Sequence, residues 1–210
     1  MKNPRAFIIS FEGIEGAGKS TQCRLLAQFL KKKGFKIKVF REPGSSSVGE
    51  KIRDILLHSK GKLTHFCETV LFIAARNQLQ CEKILPILAK KDMIILDRYI
   101  DATSAYQGYG SGVDLNLIKN LNKYAAGDVI PDITILMDID VQSGIARCGR
   151  GDRFERRKLN FHEKVRKGYL KIAKQDPERI KIVSAKGEIA SVQADIRRLI
   201  LNAIKRKKYK

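Results

Sequence analysis

A glycine-rich segment near the start of the chain has the residue types and spacing that hold nucleotide phosphates. Residues 13–21 read GIEGAGKST, which fits the phosphate-binding loop (P-loop) pattern G-x-x-x-x-G-K-S/T. Glycines let the backbone approach a phosphate closely, and the amides of the loop then point at the anion. In this pattern Lys19 reaches the β and γ phosphates, and the Ser20 hydroxyl holds Mg²⁺. The predicted ATP-binding residues of the loop are Gly13, Glu15, Gly16, Ala17, Gly18, Lys19, Ser20 and Thr21.

Charged residues elsewhere in the chain could stabilise a phosphoryl group during transfer. Asp97 and Arg98 follow a short apolar run at the carboxyl end of a predicted strand, where ligands bind in parallel sheets. We predict Asp97 as a second Mg²⁺ ligand. Residues 148–158 form a glycine- and arginine-rich segment with few apolar residues, and Arg147, directly before it, extends its positive charge. Because phosphoryl transfer depends on positioning and on cations, we predict that this segment is a mobile lid.

The elements that must position these residues follow an alternating pattern. Short apolar runs alternate with longer amphipathic segments, which predicts a five-stranded parallel sheet with helices on both faces. The predicted strands are 6–11, 37–40, 93–96, 133–137 and 180–183. The predicted helices are 19–33, 49–57, 67–89, 114–125, 141–147, 160–174 and 191–205. We expect Pro86 to kink or split the third helix, and Asn160 with Glu163 to form a capping box.

Composition narrows the possible classes. A chain of 210 residues without an internal linker is expected to form one domain. Four scattered cysteines indicate free thiols rather than disulfides or a zinc site, and no apolar run is long enough to span a membrane. We therefore expect a cytoplasmic protein without a membrane partner. The net charge of +20 suits anionic partners, but lysines that close helices explain much of it equally well.

Three classes of P-loop protein compete for this pattern. A GTPase switch would need an N-K-x-D element, and the nearest match, NKYA at 122–125, lacks the aspartate. An ATPase acting on nucleic acid would suit the positive charge, but the chain has no recognisable nucleic-acid-binding motif and no second domain. A small-molecule kinase remains. If its acceptor is itself a phosphate, that acceptor is already ionised, and no general base is needed.

A series of short segments resembles the thymidylate kinases in order and spacing. They are FEGIEGAGKST (11–21), REPG (41–44), GEKIR (49–53), LFIAAR (71–76), LDRY (96–99), AYQG (105–108), PD (131–132), GDRFE (151–155) and FHEKV (161–165). The resemblance implies a three-layer α/β/α P-loop nucleoside monophosphate kinase fold and phosphorylation of dTMP by ATP with Mg²⁺, a step in dTTP synthesis. It also implies a homodimer. The alternatives left open are another nucleoside monophosphate kinase and, less favoured, a nucleic-acid-dependent ATPase.

The resemblance implies a slot for thymine in which Phe72 stacks on the base and Arg76 and Thr103 hydrogen-bond its edge. Phe72 and Arg76 are four residues apart on a predicted helix and therefore project from one face. A departure is Ala102, where many relatives carry a small polar residue beside Thr103. That difference affects the hydrogen bonds to thymine rather than the identity of the base.

The rest of the acceptor nucleotide is assigned by the same resemblance. Arg53, Arg98 and Gln107 are expected to hold its phosphate. Tyr106 is expected to lie near the sugar and to disfavour a 2′-hydroxyl. Glu15 is expected to face the region of the 3′-hydroxyl, because a carboxylate close to phosphates needs a hydroxyl or a hydrated metal as partner.

The thymidylate kinases divide by whether their catalytic arginine lies in the P-loop or in the lid. Gly16 occupies the P-loop position here, so the resemblance implies the bacterial arrangement with a lid arginine. We predict that Arg150 supplies this charge, assisted at ATP by Arg147 and Arg153. The predicted catalytic residues are then Lys19, Arg98 and Arg150.

Overall fold

The computed structural model describes residues 6–88, 92–149 and 151–208, and the predicted catalytic Arg150 lies outside them. Its strands form one sheet in the order β2-β3-β1-β4-β5, and every pair is parallel. The strands are β1 (Phe7–Glu12), β2 (Ile37–Arg41), β3 (Met93–Asp97), β4 (Ile133–Asp138) and β5 (Ile180–Ser184). The predicted sheet is confirmed, with each boundary within a residue or so of the expected one.

The helices connect the strands in the expected alternation. They are α1 (Lys19–Lys32), α2 (Ser47–His58), α3 (His65–Leu79), α4 (Leu85–Leu88), α5 (Ile100–Thr103), α6 (Leu115–Ala126), α7 (Val141–Ala146), α8 (Leu159–Gln175) and α9 (Ile189–Lys208). Side chains of Ser46, Thr64 and Asp114 accept hydrogen bonds from the first turns of α2, α3 and α6. These caps satisfy amides that have no partner inside the helix. None of the helices in the described part of the chain has the length and apolarity of a membrane span.

Alternate residues of the central strands enter two separate cores. Ile9 and Ile95 belong to the core that α1, α8 and α9 cover, whereas Ile8 and Ile94 belong to a second core on the side of α3. Successive side chains of a strand point to opposite faces of the sheet, so helices lie on both sides. The three-layer α/β/α fold is therefore confirmed.

The helical stretch around Pro86 is irregular, but the irregularity precedes the proline. A π-helical segment (Gln80–Ile84) separates α3 from α4, which contains Pro86. The proline ring crowds the carbonyl group of the preceding turn, and a wider turn relieves this crowding. The predicted end of this helix at Ala89 lies outside the described residues.

Two predictions about helices were wrong or incomplete. Lys158 precedes the first turn of α8 and provides no side-chain cap, so the capping box at Asn160 does not form. The sequence pattern also predicts no helix after β3, whereas in the structure α5 follows and continues into a π-helical segment (Ser104–Gly110). This segment packs closely on α8, since a Cβ atom at Gly168 would stand 2.6 Å from the Tyr109 Cβ atom. The close packing holds Tyr106 beside the P-loop.

Candidate active site

The P-loop connects β1 to α1 and adopts a conformation that requires its glycines. Gly13, Gly16 and Gly18 have φ angles of 139°, 70° and 83°, which disfavour residues with a Cβ atom. A Cβ atom at Gly16 would also stand 1.8 Å from the carbonyl oxygen of Gly144 in α7. The loop therefore forms a narrow backbone cradle that only glycine can line at this point.

Lys19 begins α1 and is buried beneath the loop. Its Nζ atom donates a hydrogen bond of 2.7 Å to the carbonyl oxygen of Ile14. Burial, together with the positive charge of Arg98, lowers the pKa of Lys19 to about 8, although nearby carboxylates act in the opposite direction. A buried ammonium group in this state gains strongly from a bound anion, as expected for the lysine of a phosphate site.

Ser20 and Asp97 meet at the mouth of the loop. The Ser20 hydroxyl donates a short hydrogen bond to Asp97 Oδ2, at the carboxyl end of β3. The described residues contain no group of three or more His, Cys, Asp or Glu side chains that could hold a metal. Mg²⁺ on a nucleotide needs only one or two protein oxygens, because water and phosphates complete its shell. The predicted pair fits a nucleotide-bound Mg²⁺ ion.

A pocket of about 290 Å³ opens beside the loop and collects most of the predicted site. The predicted residues that line it are Glu15, Gly16, Lys19, Ser20, Arg53, Phe72, Asp97, Arg98, Thr103, Tyr106 and Gln107. The 148–158 segment supplies a further wall through Asp152, Phe154 and Glu155. Donor-side and acceptor-side residues thus share one continuous space.

Arg98 links the P-loop to this pocket. It has a positive φ angle of 69°, a strained conformation for a non-glycine residue. Its Nη1 atom donates to the Gly13 carbonyl oxygen at 2.9 Å, and its Nη2 atom donates to Glu15 Oε1 at 3.1 Å. Its guanidinium also lies 4.8 Å from the ring centre of Tyr106. The side chain is therefore fixed at the edge of the P-loop with a cationic face toward the pocket.

Glu15 is held as a carboxylate inside the loop. The Tyr106 hydroxyl donates to its Oε1 atom at 2.6 Å, and His162 Nδ1 lies 3.1 Å from its Oε2 atom without hydrogen-bond alignment. Burial alone would raise the pKa of Glu15. His162, Arg98 and Lys19 outweigh this effect and lower the pKa to about 2. Glu15 consequently stays charged and can accept hydrogen bonds at any physiological pH.

Arg76 lies behind the pocket wall, with only 1% of its surface exposed. It pairs with Glu42 at 2.7 Å and donates to the Thr103 hydroxyl, the Asn122 side chain and the Tyr99 carbonyl oxygen. The structure thus brings together Arg76 and Thr103, the two residues predicted to bond thymine, but gives every guanidinium nitrogen of Arg76 a protein partner. A direct bond from Arg76 to thymine stays a prediction that requires one of these contacts to be released.

Arg53 and Arg147 have different surroundings. Arg53 lines the pocket and donates to the Pro43 carbonyl oxygen at 2.9 Å, so it is not a freely solvated helix residue. Arg147 ends α7 and donates to the Ala185 carbonyl oxygen at 3.1 Å, in the connection after β5. Arg147 therefore does not line the pocket that Arg53 lines, and it follows the helix whose backbone packs on the P-loop at Gly16.

Arg153 contacts α2 and α3 rather than the P-loop, so its assistance at ATP stays a prediction that requires these contacts to be released. Its Nη2 atom lies 2.7 Å from Glu68 Oε2 in α3, and its Nε atom donates to the Leu56 carbonyl oxygen at the end of α2. Arg157 reaches the same Glu68 oxygen at 2.6 Å. The fully buried carboxylate of Glu68 thus pairs with two arginines of the 148–158 segment.

Several residues of the site were missed in the sequence reading: Glu42, Glu68, Phe154, Arg157 and His162. A signal existed for Glu68, because it is a lone charge in the same apolar helical stretch that drew attention to Arg76. Glu42 and His162 gave no comparable signal, since their partners lie far away along the chain.

Comparisons with known proteins give a consistent result. The family model for thymidylate kinase matches residues 11–196. Thymidylate kinase from Thermoanaerobacter sp. (strain X514) is 42% identical over 190 residues, covering 90% of this chain and 94% of that protein. Thymidylate kinase from Kosmotoga olearia is 38% identical over 201 residues, covering 94% and 97%. The crystal structure of thymidylate kinase from Ehrlichia chaffeensis superimposes with a TM-score of 0.79 at 34% identity, covering 94% of this chain and 100% of that one.

Proposed function

The chain belongs to the thymidylate kinase family, and we propose how its own residues carry out that family's reaction. The enzyme is a transferase that moves a phosphoryl group from ATP to dTMP and forms dTDP, a step in dTTP synthesis. One observation carries the proposal: a continuous pocket joins the P-loop to Phe72, Tyr106 and Arg98. Donor and acceptor phosphates can therefore meet without leaving the enzyme.

On the donor side, the P-loop amides and Lys19 bind the phosphates of ATP, and Ser20 with Asp97 would hold Mg²⁺. The metal, when bound, neutralises phosphate charge and orients the donor. Lys19 leaves the Ile14 carbonyl oxygen and turns to the phosphates, whose negative charge favours its protonated form.

On the acceptor side, Phe72 offers its ring to thymine and Thr103 its hydroxyl to the edge of the base. Tyr106, fixed by Glu15, lies at the sugar, and Glu15 faces the 3′-hydroxyl. Arg53 and Arg98 hold the acceptor phosphate, with Gln107 beside them. The phosphate oxygen is already ionised and attacks directly in line, so no covalent enzyme intermediate forms.

We propose further that the chain is a single domain whose lid is the 148–158 segment. Gly144 leaves no room for a side chain at Gly16, which supports a catalytic arginine outside the P-loop. Arg150 remains our candidate for this residue. Arg147 is the candidate lid-side contact to ATP, since Arg153 is engaged on the acceptor side.

We propose a homodimer that uses the exposed apolar side chains of α2 and α3. Val48 and Ile55 are seven residues apart on α2, and Phe66 and Val70 are four apart on α3, so each pair shares a helix face. All four side chains are at least 40% exposed. A second copy covering this surface would remove it from water. Sedimentation of the wild type and of Phe66→Glu tests this, with a shift to monomer expected for the variant.

We propose the cytoplasm as the location, because both substrates are charged nucleotides that are made and used there. The free thiols of Cys23, Cys67, Cys81 and Cys148 agree with a reducing compartment.

An assay of ADP release against a panel of nucleoside monophosphates, with and without DNA, tests the function. We expect ADP formation that depends on dTMP and Mg²⁺ and is unaffected by DNA. Activity with AMP or CMP but not dTMP would indicate a different nucleoside monophosphate kinase. DNA-stimulated hydrolysis without an acceptor would indicate the nucleic-acid-dependent ATPase.

A further inference from the structure

A buried carboxylate on the acceptor side of the pocket holds two arginines of the proposed lid. The same arginines also donate to the carbonyl oxygens of Leu56 and Leu57 and to the Ser111 hydroxyl. Glu68 in α3 is fully buried, and its Oε2 atom lies 2.7 Å from Arg153 Nη2 and 2.6 Å from Arg157 Nη2. Its Oε1 atom accepts a hydrogen bond of 3.0 Å from Gln107 Nε2. Removing the cations from a buried carboxylate leaves an uncompensated buried charge, which is strongly destabilising. The two lid arginines and Glu68 therefore form one unit.

The same unit determines where Phe154 lies. Arg153 and Arg157 place their guanidinium carbons 5.2 and 5.0 Å from the centre of the Phe154 ring. That ring meets Phe72 edge-on at 5.7 Å and Tyr106 at 6.1 Å. Only 5% of the Phe154 surface is exposed, and the residue lines the pocket.

We propose that Glu68 is a positioning residue that latches the lid onto the acceptor side, so that Phe154 forms a wall of the acceptor slot. The proposal rests on the proposed function in that the slot takes dTMP. Gln107, which lines the pocket, shares Glu68 with the lid arginines. Contact between dTMP and Gln107 thereby acts on the lid through one carboxylate. Arg153 and Arg157 serve lid closure rather than ATP binding.

Experiments can distinguish a Glu68 that only stabilises the fold from a Glu68 that positions the lid. A structural carboxylate would change the stability of the fold and leave the lid position unchanged in the folded fraction. A latch places the lid, so its loss exposes Phe154 and weakens acceptor use while the sheet and the P-loop remain intact.

The chain has no tryptophan, so Phe154→Trp provides a single fluorescent reporter in the lid. With this variant as reference, we expect a blue-shifted emission that acrylamide quenches weakly. Adding Glu68→Gln is expected to shift the emission to the red and to increase quenching several-fold. Glu178→Gln, a matched change at an exposed glutamate, is expected to change neither. Circular dichroism and urea unfolding establish that each variant is folded.

Kinetics on the same variants provide the second readout. We expect Glu68→Gln to raise KM for dTMP on the order of tenfold to a hundredfold, the loss typical of a misplaced closing segment, with a much smaller change in KM for ATP. The double variant Arg153→Met/Arg157→Met should reproduce this effect, and combining it with Glu68→Gln should add little. If Glu68→Gln does not fold, the arginine double variant carries the test, because both of these side chains reach the surface.

Unchanged emission in the folded Glu68→Gln protein would overturn the latch, as would equal rises in KM for both substrates. Additive effects of the three changes would also overturn it. The fluorescence result is independent of the reaction. A wild-type enzyme without dTMP-dependent activity would therefore refute the proposed function, while the emission of the Phe154→Trp variants still tests the role of Glu68 in placing the lid.

Discussion

Gly16 in the P-loop and Gly144 in α7 lie so close together that neither can carry a side chain. A Cβ atom at Gly16 would stand 1.8 Å from the Gly144 carbonyl oxygen, and one at Gly144 would stand 2.7 Å from the Glu15 carbonyl oxygen. In this chain the loop therefore cannot adopt the arrangement in which the P-loop itself carries the catalytic arginine. The absence of charge at Gly16 is imposed by backbone packing.

This packing predicts a large cost for Gly16→Ala. Gly34→Ala is the matched control, because Gly34 also has a positive φ angle of 85° but has open space around its Cβ position. The control should lose roughly 1–2 kcal/mol of unfolding free energy from backbone strain alone. Gly16→Ala should lose a further ~1–3 kcal/mol from overpacking, and should also bind ATP more weakly. Urea unfolding and ATP titration measure both effects, and equal losses for the two variants would contradict the packing argument.

The buried ammonium group of Lys19 should make the free energy of unfolding depend on pH. Below about pH 8 Lys19 is protonated in both the folded and the unfolded chain. The folded state then bears the full free-energy cost of burying this charge. Between its lowered folded pKa of about 8 and its ordinary value of 10.5, the unfolded chain binds more protons. The free energy of unfolding therefore rises with pH through this group, by up to about 3 kcal/mol.

We expect Lys19→Met to lack this rise. The difference in unfolding free energy between wild type and variant should move in favour of the wild type between about pH 7.5 and pH 10, because other titrating groups cancel in the comparison. Urea denaturation at several pH values measures it. A difference that stays flat would show that Lys19 has an ordinary pKa.

Arg76 and Glu42 form a pair inside the fold. Substitutions of the two residues should therefore have strongly coupled effects on the free energy of unfolding. Arg76→Met leaves Glu42 buried without a cation and should cost roughly 3–5 kcal/mol of unfolding free energy. Burial already raises the pKa of Glu42 with Arg76 beside it, so the lone carboxyl should take up a proton. Adding Glu42→Gln should recover part of the loss. A double-variant cycle by denaturant unfolding tests this, and simple additivity would argue against the pairing.

Substitution of Ser20 or Asp97 should impair the use of Mg²⁺ rather than the binding of the acceptor dTMP. Asp97→Asn and Ser20→Ala should each raise the Mg²⁺ concentration for half-maximal activity by roughly 10–100-fold, with little change in KM for dTMP. Asp138→Asn is the matched control, since Asp138 also ends a strand, β4 on the other side of β1, and pairs with Arg166 outside the pocket. A Mg²⁺ requirement that is the same in Asp97→Asn and in the control would remove Asp97 from the metal site.

Local patterns explain why much of this structure was predictable from the sequence. The apolar runs of β1, β3 and β4 and the spacing of the P-loop are short-range signals. The packing of parallel strands then brings Asp97 and Arg98 to the loop, because β3 lies beside β1. The partners of the buried charges were not predictable in this way. Glu68 meets Arg153 across 85 residues of sequence, and Arg76 meets Glu42 across 34. Such pairs depend on how the helices and the lid pack together.

The edge-on contact between Phe154 and Phe72 has a consequence for inhibitors of this enzyme. In the proposed function, a compound shaped for the acceptor slot is enclosed by an aromatic side chain of the proposed lid. Its escape then requires a movement of the protein as well as the loss of its own contacts. The residence time of such a compound should follow the opening rate of the proposed lid, so compounds of equal affinity at equilibrium can differ widely in duration of action.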